Sequence, residues 1–174
     1  MGVGVIVAPT EREAQEKYRS YLEYASPEAG IAHFSSSIGV DLAAFDLDAP
    51  IETGDTRAIE SVSKAYSGWT RRRLLEQHAM GSRYPLIIGD PAQVADALLQ
   101  WIDEGDIDGF NLTHILNPQS YSDFIDLVVP ELQQRGRYKT AYQPGSLRKK
   151  IFLQQDRLPD RHPAARWRQA AHFN

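Results

Sequence analysis

Two candidate strands, the first a β-branched apolar run, set the limits on what this chain can build. Gly2–Ala8 (GVGVIVA) and Ile107–Leu112 (IDGFNL) each read as a strand of a covered sheet. Almost everything else reads as helix or loop. Thr10-Glu11-Arg12-Glu13 matches a capping box, in which a hydroxyl and a carboxylate satisfy first-turn N–H groups. A helix should run from there to about Ala25, with Ala14, Tyr18 and Leu22 on one face. Ser26-Pro27-Glu28 restarts a helix with serine as cap and proline in the first turn, carrying Ile31 and His33 toward Ser35–Ser37 and Gly39. Residues 41–56 read as loop. Helices over Arg57–Tyr66 and Thr70–Met80 follow, the second stopped by Gly81. Leu86–Ile88 is a short apolar stretch. Asp90-Pro91 then opens the strongest helix, striped by Val94, Leu98, Trp101 and Ile102 and closed by Gly105. After the second strand and the turn at Asn117-Pro118, a helix runs from Ser120 to Gln134, kinked or restarted at Pro130. Beyond Tyr138 periodicity fades into an extended arm.

Strands alternating with helices imply a parallel sheet covered by helices, an α/β fold. Two strands alone leave their edges unpaired and each strand covered on one face at best. Composition points the other way: with 42% hydrophobic and 24% charged residues the chain is globular rather than disordered. A globular composition with too few strands to close a sheet marks an incomplete fold.

At 174 residues the chain suits one domain or part of a larger one. No apolar run approaches the roughly 18–20 residues of a membrane span, and no basic segment leads into an apolar signal core. There is no cysteine, which removes disulfides and thiolate chemistry and agrees with a cytoplasmic setting. A net charge of −4 argues against nucleic acid as partner. Basic residues nevertheless cluster at Arg71–Arg73 and again from Arg148 to Arg168. A phosphate-binding face and a solvated face with a docking tail both fit this pattern. No G-x-G-x-x-G follows the first strand and no P-loop occurs, which counts against a stand-alone nucleotide-binding domain.

Several motifs in a fixed order carry a resemblance. They are the helix start of Gly89–Asp96, the strand Asp108–Leu112 (DGFNL) and the helix Asp123–Gly136 (DFIDLVVPELQQRG). The opening VGVIVAPTEREAQEKYRSY, the segment SPEAGIAHFSSSIGVDLAAF and the ending LPDRHPAARWR accompany them. Together they resemble flavin-dependent monooxygenases of the luciferase-like group, specifically the nitrilotriacetate and long-chain alkane monooxygenases. The resemblance implies a partial TIM-type (β/α)8 barrel: its last two strands with their helices in residues 1–145, a helical insertion at about 41–85, and an extended C-terminal arm in 146–174. It also implies reduced FMN supplied by a separate flavin reductase, molecular oxygen, a small organic substrate and an oligomeric enzyme. The earlier strands and most of the flavin pocket would then come from a missing N-terminal part or a homo-oligomer partner, and the fragment alone would be inactive. The rival is a non-catalytic remnant serving as an oligomerisation or interaction module.

His33 is the first candidate for a catalytic and substrate-binding residue, because it matches a pocket histidine of the alkane monooxygenases. An imidazole there can donate a hydrogen bond to, or move a proton at, a reacting oxygen. The alternative is a histidine hydrogen-bonded for stability on a partly buried helix. Thr113 and His114 follow the last strand and so fall at a barrel mouth, where substrate contacts gather. Consecutive strand residues point to opposite faces, so one of the two should face the pocket. Asn111 is read as fixing the strand end through its side chain. The serine triplet is either a flexible turn or an anion contact. Arg71–Arg73 and His78 belong to the insertion, Trp69, Trp101 and Trp167 to packing, and His162 with the basic tail to intersubunit contact. No residue is assigned to the cofactor, and no metal-binding spacing occurs.

Overall fold

The computed structural model describes residues 1–51, 66, 68–80, 84–153 and 155–167. The helix expected over Arg57–Tyr66 and the stop at Gly81 lie outside the described residues, Tyr66 apart.

The first strand, β1 (Gly2–Val7), is central to a three-stranded parallel sheet of order β2-β1-β3. β2 is Leu86–Gly89 and β3 is Asn111–Thr113. β1 pairs with β3 over its first half (Val3 opposite Leu112) and with β2 over its second (Val5 opposite Ile87). The two strands legible in the sequence are therefore neighbours, and Leu86–Gly89 adds a third that was not anticipated. Four residues after a proline are too few to show a period, and only pairing along β1 makes them a strand.

The glycines of GVGV have a packing reason. A Cβ on Gly2 would lie 2.4 Å from the Tyr84 ring, and one on Gly4 would lie 3.0 Å from Leu86 Cδ1. On the opposite face Val3, Val5 and Val7 are fully buried with Val94, Ala95 and Leu98, joined by Val128 and Leu132. Alternation along β1 thus gives one face to the helices and leaves the other room for the approaching chain.

Four helices follow their caps. Helix α1 (Glu11–Leu22) starts at Thr10, whose hydroxyl accepts from Glu13 N. Helix α2 (Pro27–Ile38) starts at Ser26 and ends at Gly39, which takes the left-handed conformation at φ 68°. Helix α3 (Arg71–Gln77) is capped by Thr70. Helix α4 (Pro91–Gly105) carries a full capping box between Asp90 and Gln93, and Asp106, not Gly105, takes the left-handed turn that ends it. A second core joins α2, α3 and the intervening chain through Ile31, Phe34, Ile38, Leu42, Ile51 and Leu74.

The helix expected over Ser120–Gln134 is three pieces: α5 (Gln119–Asp123), a π-turn (Phe124–Val128) and α6 (Val129–Gln134). Pro130 cannot donate a backbone hydrogen bond and its ring crowds the preceding turn. The turn widens, with Val129 N–H reaching Phe124 O.

Contacts divide the chain into two compact units, Met1–Arg137 and Tyr138–Asn174. The second contains helix α7 (Leu147–Phe152), capped by Ser146, and a 3-10 turn at Pro163–Trp167. Among the described residues no helix is long and apolar enough to cross a membrane.

Candidate functional site

A cleft of about 580 Å³ opens in the first unit. The C-terminal half of α1, the start of α2, the residues after α3 and the segment after β3 enclose it, and its lining includes Tyr21, Tyr24, Gly30, His33, Met80 and Leu116. Helical spacing explains why α2 serves both the cleft and a core. Ser26, Ala29, Gly30 and His33 recur on the cleft side, while Ile31, Phe34 and Ile38 fall on the buried side.

Gly30 is the residue on which this arrangement turns. A Cβ there would lie 2.0 Å from the backbone carbonyl oxygen of His78, so only glycine lets α2 meet the end of α3 and bring Ala79 and Met80 to the cleft. Sequence reading missed it, although a glycine inside a helical pattern is itself a sign of close approach. His78 is buried, its ring stacked on Phe34 at 4.3 Å.

His33 stands on the cleft wall with an exposed side chain. Its backbone carbonyl accepts from Ser36 Oγ (2.7 Å) and Ser37 Oγ (3.3 Å), while its imidazole makes no hydrogen bond among the described residues. Both ring nitrogens are free for a ligand. Thr113 and His114 do not line the cleft; their successors Ile115 and Leu116 do. Thr113 Oγ1 donates to Val3 O at 3.1 Å and locks β3 to β1. His114 Nδ1 lies 3.1 Å from the Tyr121 hydroxyl. Asn111 holds the strand end through its backbone N–H, which donates to Met1 O at 2.7 Å.

The remaining candidates resolve into local structure. Ser35 Oγ accepts from Leu42 N, and the other two serines close the helix end. Arg72 forms a two-pronged pair with Asp48 at 2.7 and 2.9 Å, which holds that exposed carboxyl below its usual range. Arg73 lies 3.6 Å above the Trp69 ring, and Arg71 donates to Ala43 O. Trp101 packs near Phe110. In the second unit Trp167 is exposed, and His162 Nδ1 accepts from Ala164 N. Among the described residues no group of His, Asp and Glu is placed to hold a metal ion.

One cluster was invisible in sequence because its members lie far apart. Lys17 of α1 pairs with Asp123 of α5 and donates to Val7 O at 3.2 Å; Gln119 Nε2 donates to the other Asp123 oxygen at 2.6 Å. Both charged groups are largely buried. Tyr21, one helical turn beyond Lys17 and lining the cleft, has its phenol pKa raised first by burial and then by the Asp123 charge.

Comparison with known proteins decides what this framework belongs to. The chain is 38% identical over 173 residues to dimethyl-sulfide monooxygenase of Hyphomicrobium sulfonivorans, covering 95% of this chain and 36% of that protein. It is 39% identical over 171 residues to long-chain alkane monooxygenase of Geobacillus thermodenitrificans, covering 96% and 35%. The chain is homologous to the luciferase-like FMN-dependent monooxygenases. No protein-family model matches it. The crystal structure of the Hyphomicrobium sulfonivorans protein superposes with a TM-score of 0.79 at 39% identity, over 98% of this chain and 37% of that one. A riboflavin lyase solved with modified FMN and substrate riboflavin superposes at 0.82 with 32% identity, over 97% and 38%. The likeness to these barrel enzymes bears out the α/β, partial-barrel fold. The chain spans little more than a third of the length of these relatives.

Proposed function

We propose that this chain supplies the C-terminal part of an FMN-dependent monooxygenase that uses reduced flavin and molecular oxygen to oxidise a small organic molecule. The observation that carries the reading is the match to monooxygenases over nearly the whole chain, joined to a cleft with a free imidazole on its wall. Flavin, when bound, supplies the oxygen chemistry; the protein orients the substrate and excludes water. Here His33 would donate a hydrogen bond to, or pass a proton at, a reacting oxygen. Tyr21 and Leu116 would shield the reacting centre.

These residues suit the substrate-facing wall better than a complete flavin seat. A flavin phosphate calls for cationic side chains or a cradle of N–H groups. Among the described lining residues there is no lysine or arginine. The outer edges of β2 and β3 are unpaired within this sheet, which leaves room for further strands. The rest of the barrel, from an N-terminal part or a partner subunit, would complete the pocket, a separate reductase would deliver the flavin, and the cytoplasm would be the setting.

Oxygen consumption dependent on substrate, with a flavin reductase and reduced nicotinamide present, tests the reading. The isolated chain should give none; robust turnover by it alone would refute the dependence on a second part.

A second reading rests on the C-terminal unit, where Leu147, Ile151, Phe152, Leu153 and Trp167 are exposed. Such a surface favours association between subunits, and a non-catalytic oligomerisation module would show a tight oligomer with no flavin affinity even beside the complementary part.

A further inference from the structure

We infer that helix α5 clamps two walls of the cleft, with Ser120 positioning the chain after β3 and Asp123 positioning α1. The clamp deepens the monooxygenase reading and rests on it for what the cleft is used for.

One wall is the chain that leaves the sheet after β3. The β1–β3 ladder ends at Thr113, and Ile115 and Leu116, which line the cleft, lie beyond it. Their backbone groups turn to α5 instead. Ile115 N and Leu116 N both donate to Ser120 Oγ at 3.1 Å, and Ser120 N donates to Leu116 O at 2.8 Å. A serine oxygen has two acceptor lone pairs, which matches the two N–H groups it serves. His114 Nδ1 lies 3.1 Å from the hydroxyl of Tyr121, so three successive residues are held from one helical turn. Ser120 is itself buried, so water does not readily make good a lost oxygen there.

The other wall is the C-terminal half of α1. Among the described residues of α1, Ala14 alone is buried, so apolar packing anchors the cleft end of this helix weakly. The tie is Lys17, which reaches both Asp123 and Val7 O. Gln119 Nε2 donates to the second Asp123 oxygen at 2.6 Å and fixes the carboxylate. Tyr21 lines the cleft four residues beyond Lys17, on the same side of α1.

Ser120 and Asp123 are three residues apart and share one side of α5. The wall after β3 hangs from the first and α1 from the second. Leu116 and Tyr21, which the monooxygenase reading places around the reacting centre, are therefore linked through a single turn of helix. A site keeps its geometry when its supporting residues are locked by hydrogen bonds in this way.

Amide hydrogen exchange of the full chain, followed by NMR, tests the clamp. In the wild-type chain the Ile115 and Leu116 amides should exchange at least about tenfold more slowly than in a free peptide. Ser120→Ala should accelerate both about tenfold more than it accelerates Val5 and Leu98 of the core. Ser120→Thr, which keeps the hydroxyl, should restore them. Asp123→Asn should leave Ile115 and Leu116 slow and accelerate residues 17–22 of α1 beyond the core. Equal acceleration of wall and core in both variants would make the two residues general stabilisers and overturn the clamp. Unprotected Ile115 and Leu116 amides in the wild-type chain would overturn it without any variant. Flavin use is judged separately, by fluorescence and oxygen consumption, so the clamp and the monooxygenase reading can fail independently.

Discussion

A single atom separates a working α2 from a displaced one at position 30. Gly30→Ala puts a methyl 2.0 Å from a backbone oxygen of His78, and backbone cannot swing aside as a side-chain tip can. The variant should lose about 1–3 kcal/mol in urea unfolding. His33 presents the opposite case. Its ring is exposed and makes no hydrogen bond among the described residues, so His33→Ala should leave the unfolding midpoint unchanged. In the completed enzyme the same change should slow turnover about 100-fold, the lower range of a lost general acid or base. A large stability loss with intact turnover would return His33 to a structural role. At this scale the sequence singles out His33 through its resemblance to a family motif, and the turnover assay decides its role. Gly30 was not legible, because its partner is a carbonyl 48 residues away that no local pattern reveals.

Between elements, the Lys17–Asp123 pair ties α1 to α5 beside the ends of the strands. Asp123→Asn removes the counter-charge of a largely buried ammonium and one of the two acceptor oxygens that Lys17 and Gln119 use, and should cost about 1.5–3 kcal/mol. The same substitution should lower the Tyr21 phenol pKa, since the Asp123 charge is one of the two causes that raise it. The sign for stability follows from this. Tyr21 is neutral in both states below pH 10, its ordinary value, and above it the unfolded chain ionises first. The contribution is intact below pH 10 and is lost as pH rises through the folded phenol's pKa. Ultraviolet titration of the phenols with and without Asp123→Asn measures the shift. Helix α4 depends on apolar burial instead, and Leu98→Ala should cost about 2–5 kcal/mol in the same unfolding assay.

Elements with strong local chemistry were legible in sequence: the caps at Thr10, Ser26 and Asp90, the α4 stripe and the alternating β1 run each act within a few residues. β2 escaped because its identity comes from pairing with β1. The π-turn escaped because Pro130 announces a disturbance without saying how the helix absorbs it. The Lys17–Asp123 contact spans 106 residues and depends on the fold itself.

At the scale of the whole molecule, the described residues pair a well-packed valine face on one side of β1 with a three-stranded sheet. It matches its relatives across nearly its whole length yet spans little more than a third of theirs. Both facts lead to the central claim, that flavin chemistry requires this part together with the remainder of the barrel. The most direct test is an FMN titration followed by flavin fluorescence, with the chain alone and with a polypeptide carrying the relatives' remaining length. Saturable quenching by the pair, and none by the chain alone, is the predicted result. Saturable quenching by the chain alone, or none by the pair, would contradict it.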